Sequence, residues 1–376
     1  MTLSPRPVLR SASHTVEVID DFQRFVDLES AWNDTVNRAN LPHPFLTHEW
    51  LRTWWECFGH GRQLHVIVVR DRNHITAIAP LMTESVRLYG LPIRKVDFIH
   101  NDHTPRADFI VADSPKESYR AIWETLHSTR ENWDLLQLSR VVRGSATESV
   151  LSRFANEAGC ATGIWTGDVS PYLDLTGTWD SYYRGLPGKF RQNLRNRLSR
   201  LLKLGDPRLE VFEDASAIAA ARDDALRLEA SGWKLDSGTA IRSDSAVHRF
   251  YARLAERATD AGWLRLMFLT VGDQRIATSY GSRYRNRLFL FKTGYDPGYA
   301  MCSPFKLLTY FAIQNAYREG LTELDFLGDA EPWKLEWTAQ SRAHNWLFVF
   351  SGTVRARLLH CLKFQMAPEL KRRWRA

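Results

Sequence analysis

The order of apolar patterns between residues 65 and 140 recurs between 264 and 327, and this repeat limits the fold more than any other feature of the chain. In the first stretch, "LHVIVVRDRNHITAIAPLMTESV" reads as two strands meeting at the polar turn "DRNH". The strands "IRKVDFIH" and "ADFIVAD", a helix near "SPKESYRAIWETLHSTR" and the strand "WDLLQLSRVV" follow. In the second stretch, "LRLMFLTVGDQRIATSYGSRY" is a hairpin turning at "GDQ", and then come the strand "RLFLFKTGYD", the helix "PFKLLTYFAIQNAYREG" and the strand "LTELDFLG". Each stretch is preceded by a strand and two amphipathic helices. These are "HTVEVID", "FQRFVDLESAWNDTVNRA" and "THEWLRTWWECFG" in one case, and "LEVFED", "ASAIAAARDDALRLEAS" and "AVHRFYARLAERATDAG" in the other. A period this long indicates a duplicated domain and not a solenoid. At 376 residues the chain also exceeds the span of a single hydrophobic core. We therefore expect an α/β (α+β) protein with two similar domains, 15–175 and 208–350, each a mixed sheet flanked by helices.

Residues 176–207, between the domains, are broken by Gly185, Pro187 and Gly188 and then become helical. Leu194, Leu198, Leu201 and Leu202 fall on one face, with Arg191, Arg195, Arg197, Arg200 and Lys203 largely elsewhere, which describes a basic amphipathic connecting helix. The chain has a net charge of +7, yet Arg184–Arg208 alone carries +7 and Val354–Ala376 carries +6, leaving −6 for the remainder. Anionic partners are therefore expected at these two places. The tail, 351–376, sets Leu358, Leu359, Leu362, Phe364 and Met366 among basic residues and Trp374 among arginines. That pattern suits peripheral association of 354–376 with an anionic membrane, with Pro368 dividing the segment; packing of the helix on its own domain is the other reading. No stretch approaches the roughly 18 apolar residues that span a bilayer, and "MTLSPRPVLRSASHTVEV" lacks the apolar core of a signal peptide. A cytoplasmic location, at most peripheral at the inner face of the membrane, is the expectation. Cys57, Cys160, Cys302 and Cys361 have no metal-site or redox spacing and read as reduced, buried thiols, so no metal is expected.

The stretch 293–334 has the densest candidate chemistry. Ser303 reads as the N-cap of a helix with Pro304 at its first position and Gly320 at its end, and Leu307, Leu308, Phe311 and Ala312 as its buried stripe. The backbone N–H groups at this helix start, with Lys306 one turn in, form an anion site suited to a phosphate, although ordinary capping uses the same groups.

The pattern G-Y-D-x-x-Y-x-x-x-S-P-x-x-L-L at 294–308, followed by "GLTELDFLGDAEPWKLEW" at 320–337, resembles the GNAT-type acyltransferase domain of BioF2-like and CelD-like (cellulose biosynthesis) bacterial proteins. "KFRQNLRNRLSRLLKLG" at 189–205 and "SGWKLDSG" at 231–238 fit the same family, so the resemblance covers most of 170–340. It implies two GNAT-like domains in tandem, an architecture similar to that of the FemABX aminoacyltransferases. It further implies an acyl-CoA co-substrate, with acetyl-CoA the simplest, whose pyrophosphate rests at the turn before Phe305. Ser303, Phe305 and Lys306 are thus the expected donor-binding residues. Phe305 stands where the family commonly has glycine, and its side chain takes room from a pyrophosphate.

Amine attack on a thioester requires a route for the amine proton and donors for the oxyanion. Asp325 alternates with Leu324 and Phe326, which directs it to the cleft side if those two are core. Asp329 follows beside Gly328. Tyr295 and Tyr280 are candidate hydroxyl donors, with core packing as their other reading. Trp333 and Lys334 match the family's aromatic-lysine pair, and Trp233 and Lys234 its earlier one. We expect Asp325, Lys334 and Tyr295 to be catalytic, and Trp233, Lys234, Asp329 and Trp333 to bind substrate. His100, Asp102, His103, Arg106 and Asp108 read as a polar acceptor-binding loop of the first domain, whose copy is expected to be degenerate. The leading expectation is N-acyl transfer from acyl-CoA to an amine on a sugar or another envelope- or polysaccharide-related small molecule. An aminoacyl-tRNA-dependent, Fem-like ligase and a catalytically silent binding protein at the membrane surface are the alternatives.

Overall fold

The chain opens with β1 (His14–Ile19), α1 (Phe22–Asp27), α2 (Glu29–Arg38) and α3 (His48–Phe58) in a computed structural model that describes residues 14–231 and 244–366. Local chemistry sets these helix starts. Asp21 accepts the Arg24 N–H at the head of α1, and Thr47 accepts that of Trp50 at the head of α3. Next come β2 (Gln63–Leu64), β3 (Val66–Asp71), β4 (His74–Ala79), β5 (Leu81–Leu88), β6 (Leu91–Phe98), β7 (Ile110–Val111), α4 (Pro115–Ser128), β8 (Leu135–Val142), α5 (Ala146–Glu157) and β9 (Ala161–Asp174). They are followed by α6 (Trp179–Gly185), α7 (Gly188–Leu202), β10 (Pro207–Phe212), α8 (Ala215–Glu229), α9 (Ser245–Asp260), β11 (Leu264–Val271), β12 (Gln274–Tyr284) and β13 (Arg287–Tyr295). Then α10 (Pro304–Arg318), β14 (Glu323–Asp325), α11 (Pro332–Leu335), β15 (Ser341–Phe350) and α12 (Val354–His360) follow, and a π-helical turn (Cys361–Met366) completes the described chain.

Two compact units emerge, one of residues 1–168 with 343–376 and the other of 169–342. The first has a sheet ordered β1-β3-β4-β7 and a second run β15-β8-β6-β5-β2. Its core gathers Ile67, Phe98, Ile122, Leu136, Leu138, Leu151 and Val349. The second is ordered β10-β11-β12-β13-β14, with the end of β9 pairing on β14 through Leu324 and Leu173. Helices α7 and α10 pack there through Phe190, Leu194, Leu201, Leu307, Leu308, Ala312 and Ile313. Phe311 and Leu198 are half-buried and Leu202 is exposed, so the apolar stripes of both helices turn slightly from the expected faces.

The second domain was expected to run to 350. Residues 343–350 instead belong to the first unit, because Leu347, Val349 and Phe350 of β15 pair with Leu138, Leu136 and Leu135 of β8. The following α12 is likewise no free tail, since Ala356 and Leu359 are buried with Phe348 and Phe350. Cys160 and Cys302 are buried free thiols, whereas Cys57 and Cys361 are only half-buried.

Candidate active site

Among the described residues, the strands of the second unit pair antiparallel except at one place. β13 and β14 run parallel over Arg287–Glu323, Leu288–Leu324 and Phe289–Asp325, joined through the crossover helix α10. β14 stops at Asp325 while β13 continues to Tyr295, so the strands part. A cavity of about 560 Å³ opens there, lined by Leu290 to Tyr295, Phe305, Phe326, Glu331, Trp333 and Lys334 among others. β13 carries a bulge opposite Tyr280 and Gly281 where it borders this space. Behind it, α8 approaches so closely that a Cβ on Gly294 would lie 2.2 Å from the Leu228 carbonyl oxygen. Glycine is required at that contact.

Asp325 does not face the cavity as a proton acceptor. It is fully buried, its Oδ2 accepts from Arg342 at 2.9 Å, and its Oδ1 accepts the Leu327 N–H at 2.9 Å. Arg342 also donates to Glu323 at 3.0 Å. Burial opposes the charge of Arg342, but Asp325 and Glu323 outweigh it and raise its pKa above the ordinary arginine value. β14 is covered on both faces, one by apolar side chains and the other by this ion network, so alternation along the strand does not bring Asp325 to a cleft.

Lys334 lines the cavity, but its ammonium is engaged. It donates to the carbonyls of Leu327 at 2.7 Å and Asp329 at 2.9 Å, and pairs with Glu331 at 3.3 Å. Leu327 and Gly328 are successive residues in the left-handed region, at φ 54° and 58°. A leucine held there is strained by about 1–3 kcal/mol and needs its surroundings to fix it. Asp325 and Lys334 do so from opposite sides, one binding the Leu327 N–H and the other its carbonyl. A Cβ on Gly328 would come within 3.3 Å of the Lys334 Nζ. Both are therefore positioning residues of the turn "FLGD".

Tyr295 lines the cavity and its hydroxyl makes no hydrogen bond among the described residues. Tyr280 does not join it. Its hydroxyl donates to the Tyr251 carbonyl at 2.9 Å, and burial, with smaller effects from Tyr251 and Glu256, pushes its pKa well above the usual tyrosine range. Trp333 stands edge-on to Phe305 at 4.7 Å and to Phe326 at 5.9 Å, forming an aromatic wall. Its indole donates to Glu331 at 2.8 Å. Glu331, absent from the sequence reading, is thus the carboxylate at the cavity; the signal was present as the acid before "PWK". Asp329 is exposed and contributes its carbonyl to Lys334. Trp233 and Lys234 lie outside the described residues.

The entrance of α10 departs from expectation. Ser303 occupies the N-cap position but is left-handed at φ 49° and makes no side-chain cap; its Oγ accepts instead from Arg197. Its carbonyl takes the N–H groups of Lys306 and Leu307. Lys306 is paired with Glu336, so it is not a mobile charge for a phosphate. Cations reach this loop from α7, where Arg197 meets Ser303 and Arg200 donates to the Met301 carbonyl at 3.2 Å.

In the first unit, the polar loop disperses into internal pairs. His100 meets Asp97, Asp102 meets Arg140, His103 stacks on Phe58, and buried Arg106 donates to His344 at 3.2 Å. Asp108 is pushed up to about 6 by burial, against hydrogen bonds from Thr147, Phe109 and Ser145.

Residues 188–335 match the model of the acetyltransferase (GNAT) domain. No curated protein sequence matches the chain. Among solved structures, FemX superposes with a TM-score of 0.58 at 10% identity over 89% of this chain and 98% of its own. A C-terminal DUF2156 domain assigned to a lysylphosphatidylglycerol synthetase from Agrobacterium fabrum gives 0.54 at 13% identity, over 89% of this chain and 95% of that one. A conserved protein of unknown function from Bacteroides thetaiotaomicron gives 0.51 at 13%, over 89% and 99%. The parallel pair with its crossover helix lies inside the matched segment: residues 188–335 are similar to the acetyltransferase (GNAT) domain, and the chain shares its fold with FemX.

Proposed function

We propose that the second unit is an N-acyltransferase that takes an acyl-CoA donor and acylates the amine of a small acceptor, of the sugar or envelope-polysaccharide kind. The observation that carries this reading is the cavity between β13 and β14, which brings an unbonded Tyr295 hydroxyl and the Glu331 carboxylate to one aromatic-walled space. In the step, the neutral amine attacks the thioester carbonyl, the carbon–sulfur bond breaks, and the thiolate leaves. Glu331 is suited to take the proton from the amine, and Tyr295 to donate one to the departing sulfur. Asp325 and Lys334 hold the turn that presents Glu331 and Trp333. The motifs at 294–308 and 320–337 support a place beside the BioF2-like and CelD-like proteins.

Aminoacyl-tRNA is the second donor reading, favoured by the basic face of α7 and by Arg197 and Arg200 at the loop before α10. Thermal unfolding separates the two. A ligand at a hundred times its dissociation constant stabilises by about 2.7 kcal/mol, so acetyl-CoA should raise Tm visibly. A shift with tRNA and none with any CoA ester assigns the donor to tRNA. A shift with neither points to the silent binding protein. Phe305→Gly should strengthen CoA binding if the ring limits the pyrophosphate.

A further inference from the structure

We infer that the first unit carries a docking surface for an anionic lipid bilayer, built jointly by α12, the π-helical turn Cys361–Met366 that continues it, and the exposed part of β9. On the inner side of this segment, Ala356 and Leu359 are buried and Phe364 packs on Phe348 at 5.5 Å. On the outer side, Val354, Leu358, Leu362 and Met366 recur every fourth residue. Val354 is 83% exposed, Leu358 46% and Met366 48%, with Leu362 half-buried. The segment is thus apolar both toward its core and toward solvent, and core packing accounts for only one of these faces.

β9 extends this surface. A Cβ on Gly163 would stand 2.4 Å from the Phe364 ring, so strand and helix are in tight contact there. Just beyond, Trp165, on the same strand face as Gly163, is 46% exposed. The Lys363 ammonium lies 4.3 Å from the Trp165 ring centroid and ties the two elements together. Between Val354 and Met366 the sequence has Arg355, Arg357 and Lys363 and no acidic residue.

Large apolar side chains interleaved with cations, with tryptophan at the margin, match the chemistry of a headgroup layer over acyl chains. An acidic protein partner would satisfy the cations but leave the four-residue apolar stripe and Trp165 in water. The surface therefore extends beyond the amphipathic tail: a strand more than 180 residues earlier in sequence supplies its aromatic part.

The test is co-sedimentation of the full chain with vesicles of phosphatidylcholine alone or with one-third phosphatidylglycerol, at low salt and at high salt. Binding to the anionic vesicles only, weakened by salt, is expected. Leu358→Glu should lower the partition coefficient about tenfold with an unchanged Tm, and Trp165→Ser should lower it comparably while also lowering Tm slightly through the lost Lys363 contact. Equal binding to both vesicle types overturns the proposal. So does wild-type binding by both variants, which would leave the interaction elsewhere on the chain. A dimer by light scattering that Leu358→Glu converts to monomer would assign the stripe to a second copy and also overturn it.

Discussion

The two units build the same parallel strand pair and finish it differently. β6 and β8 run parallel over Lys95–Leu135, Val96–Leu136 and Asp97–Gln137, as β13 and β14 do in the second unit. Each pair is bridged by a helix that begins Ser-Pro with the serine left-handed, Ser114 at φ 44° and Ser303 at φ 49°. In the first unit, buried Asp97 occupies the last paired position of β6 and binds Lys95, His100 and the Ser139 hydroxyl, each at 3.2 Å. In the second, Phe289 holds the matching position and the carboxylate sits across on Asp325. Beyond it, β13 continues along an aromatic cavity. One backbone plan thus carries an internal ion network at the end of the strand pair in both units, and in the second a ligand-sized opening lies beside it.

The largest expected effect tests the ion network of the second unit. Arg342→Met removes the guanidinium that buried Asp325 and Glu323 share, leaving Glu323 with Arg287, and should destabilise by about 3–5 kcal/mol in urea unfolding, chiefly through Asp325. Lys95→Met should cost less, because Asp97 retains His100. Equal losses would mean that the two networks are equivalent after all.

Function should divide the units next. Glu331→Gln and Tyr295→Phe are expected to lower kcat/KM about 10- to 100-fold, or roughly 1.4–2.7 kcal/mol of transition-state stabilisation, with Tm unchanged. Asp97→Asn should change stability and leave kcat as it was. A comparable loss of kcat from Asp97→Asn would dissolve the contrast between scaffold and site.

The smallest effect lies in the pH response of the first unit. Asp108 titrates near 6 in the folded chain, above its unfolded value, so its neutral form favours folding. Its contribution is fully present at low pH, declines as pH rises from about 4 to 6, and is constant above that. Burial would also raise Asp97, but His100 and Lys95 hold it below the ordinary range, so its contribution has the opposite sign and is lost as pH falls. Asp108→Asn should therefore gain on the order of 1–2 kcal/mol at pH 7 and little at pH 4. A variant with an unchanged slope between those pH values would remove Asp108 from this account.

Much of the fold was legible because helices and half-buried strands carry their own periodicity. The bounds of α10 and the turn "GDQ" between β11 and β12 needed only neighbouring residues. β9 and β15 were missed. "ATGIWTGDVSPYLD" contains two glycines and a proline, and its first half is largely exposed, so no alternation marks it as a strand. Within the site, Tyr295, Phe305, Trp333 and Lys334 were expected and do border the cavity, whereas Asp325 and Lys306 were expected at a ligand and are paired internally. A single sequence cannot distinguish a carboxylate facing a cleft from one facing an arginine on another strand.

By itself, the sequence determined the duplicated order of elements, the Ser-Pro start of α10 and the basic helix α7, because each depends on residues within a turn or a strand of one another. The tertiary structure decided which polar groups partner which. Arg342 reaches Asp325 across 17 residues, and Arg197 reaches Ser303 across 106. Such partners are chosen by sheet order and helix packing, and those are set by the burial of the whole core and not by any local pattern.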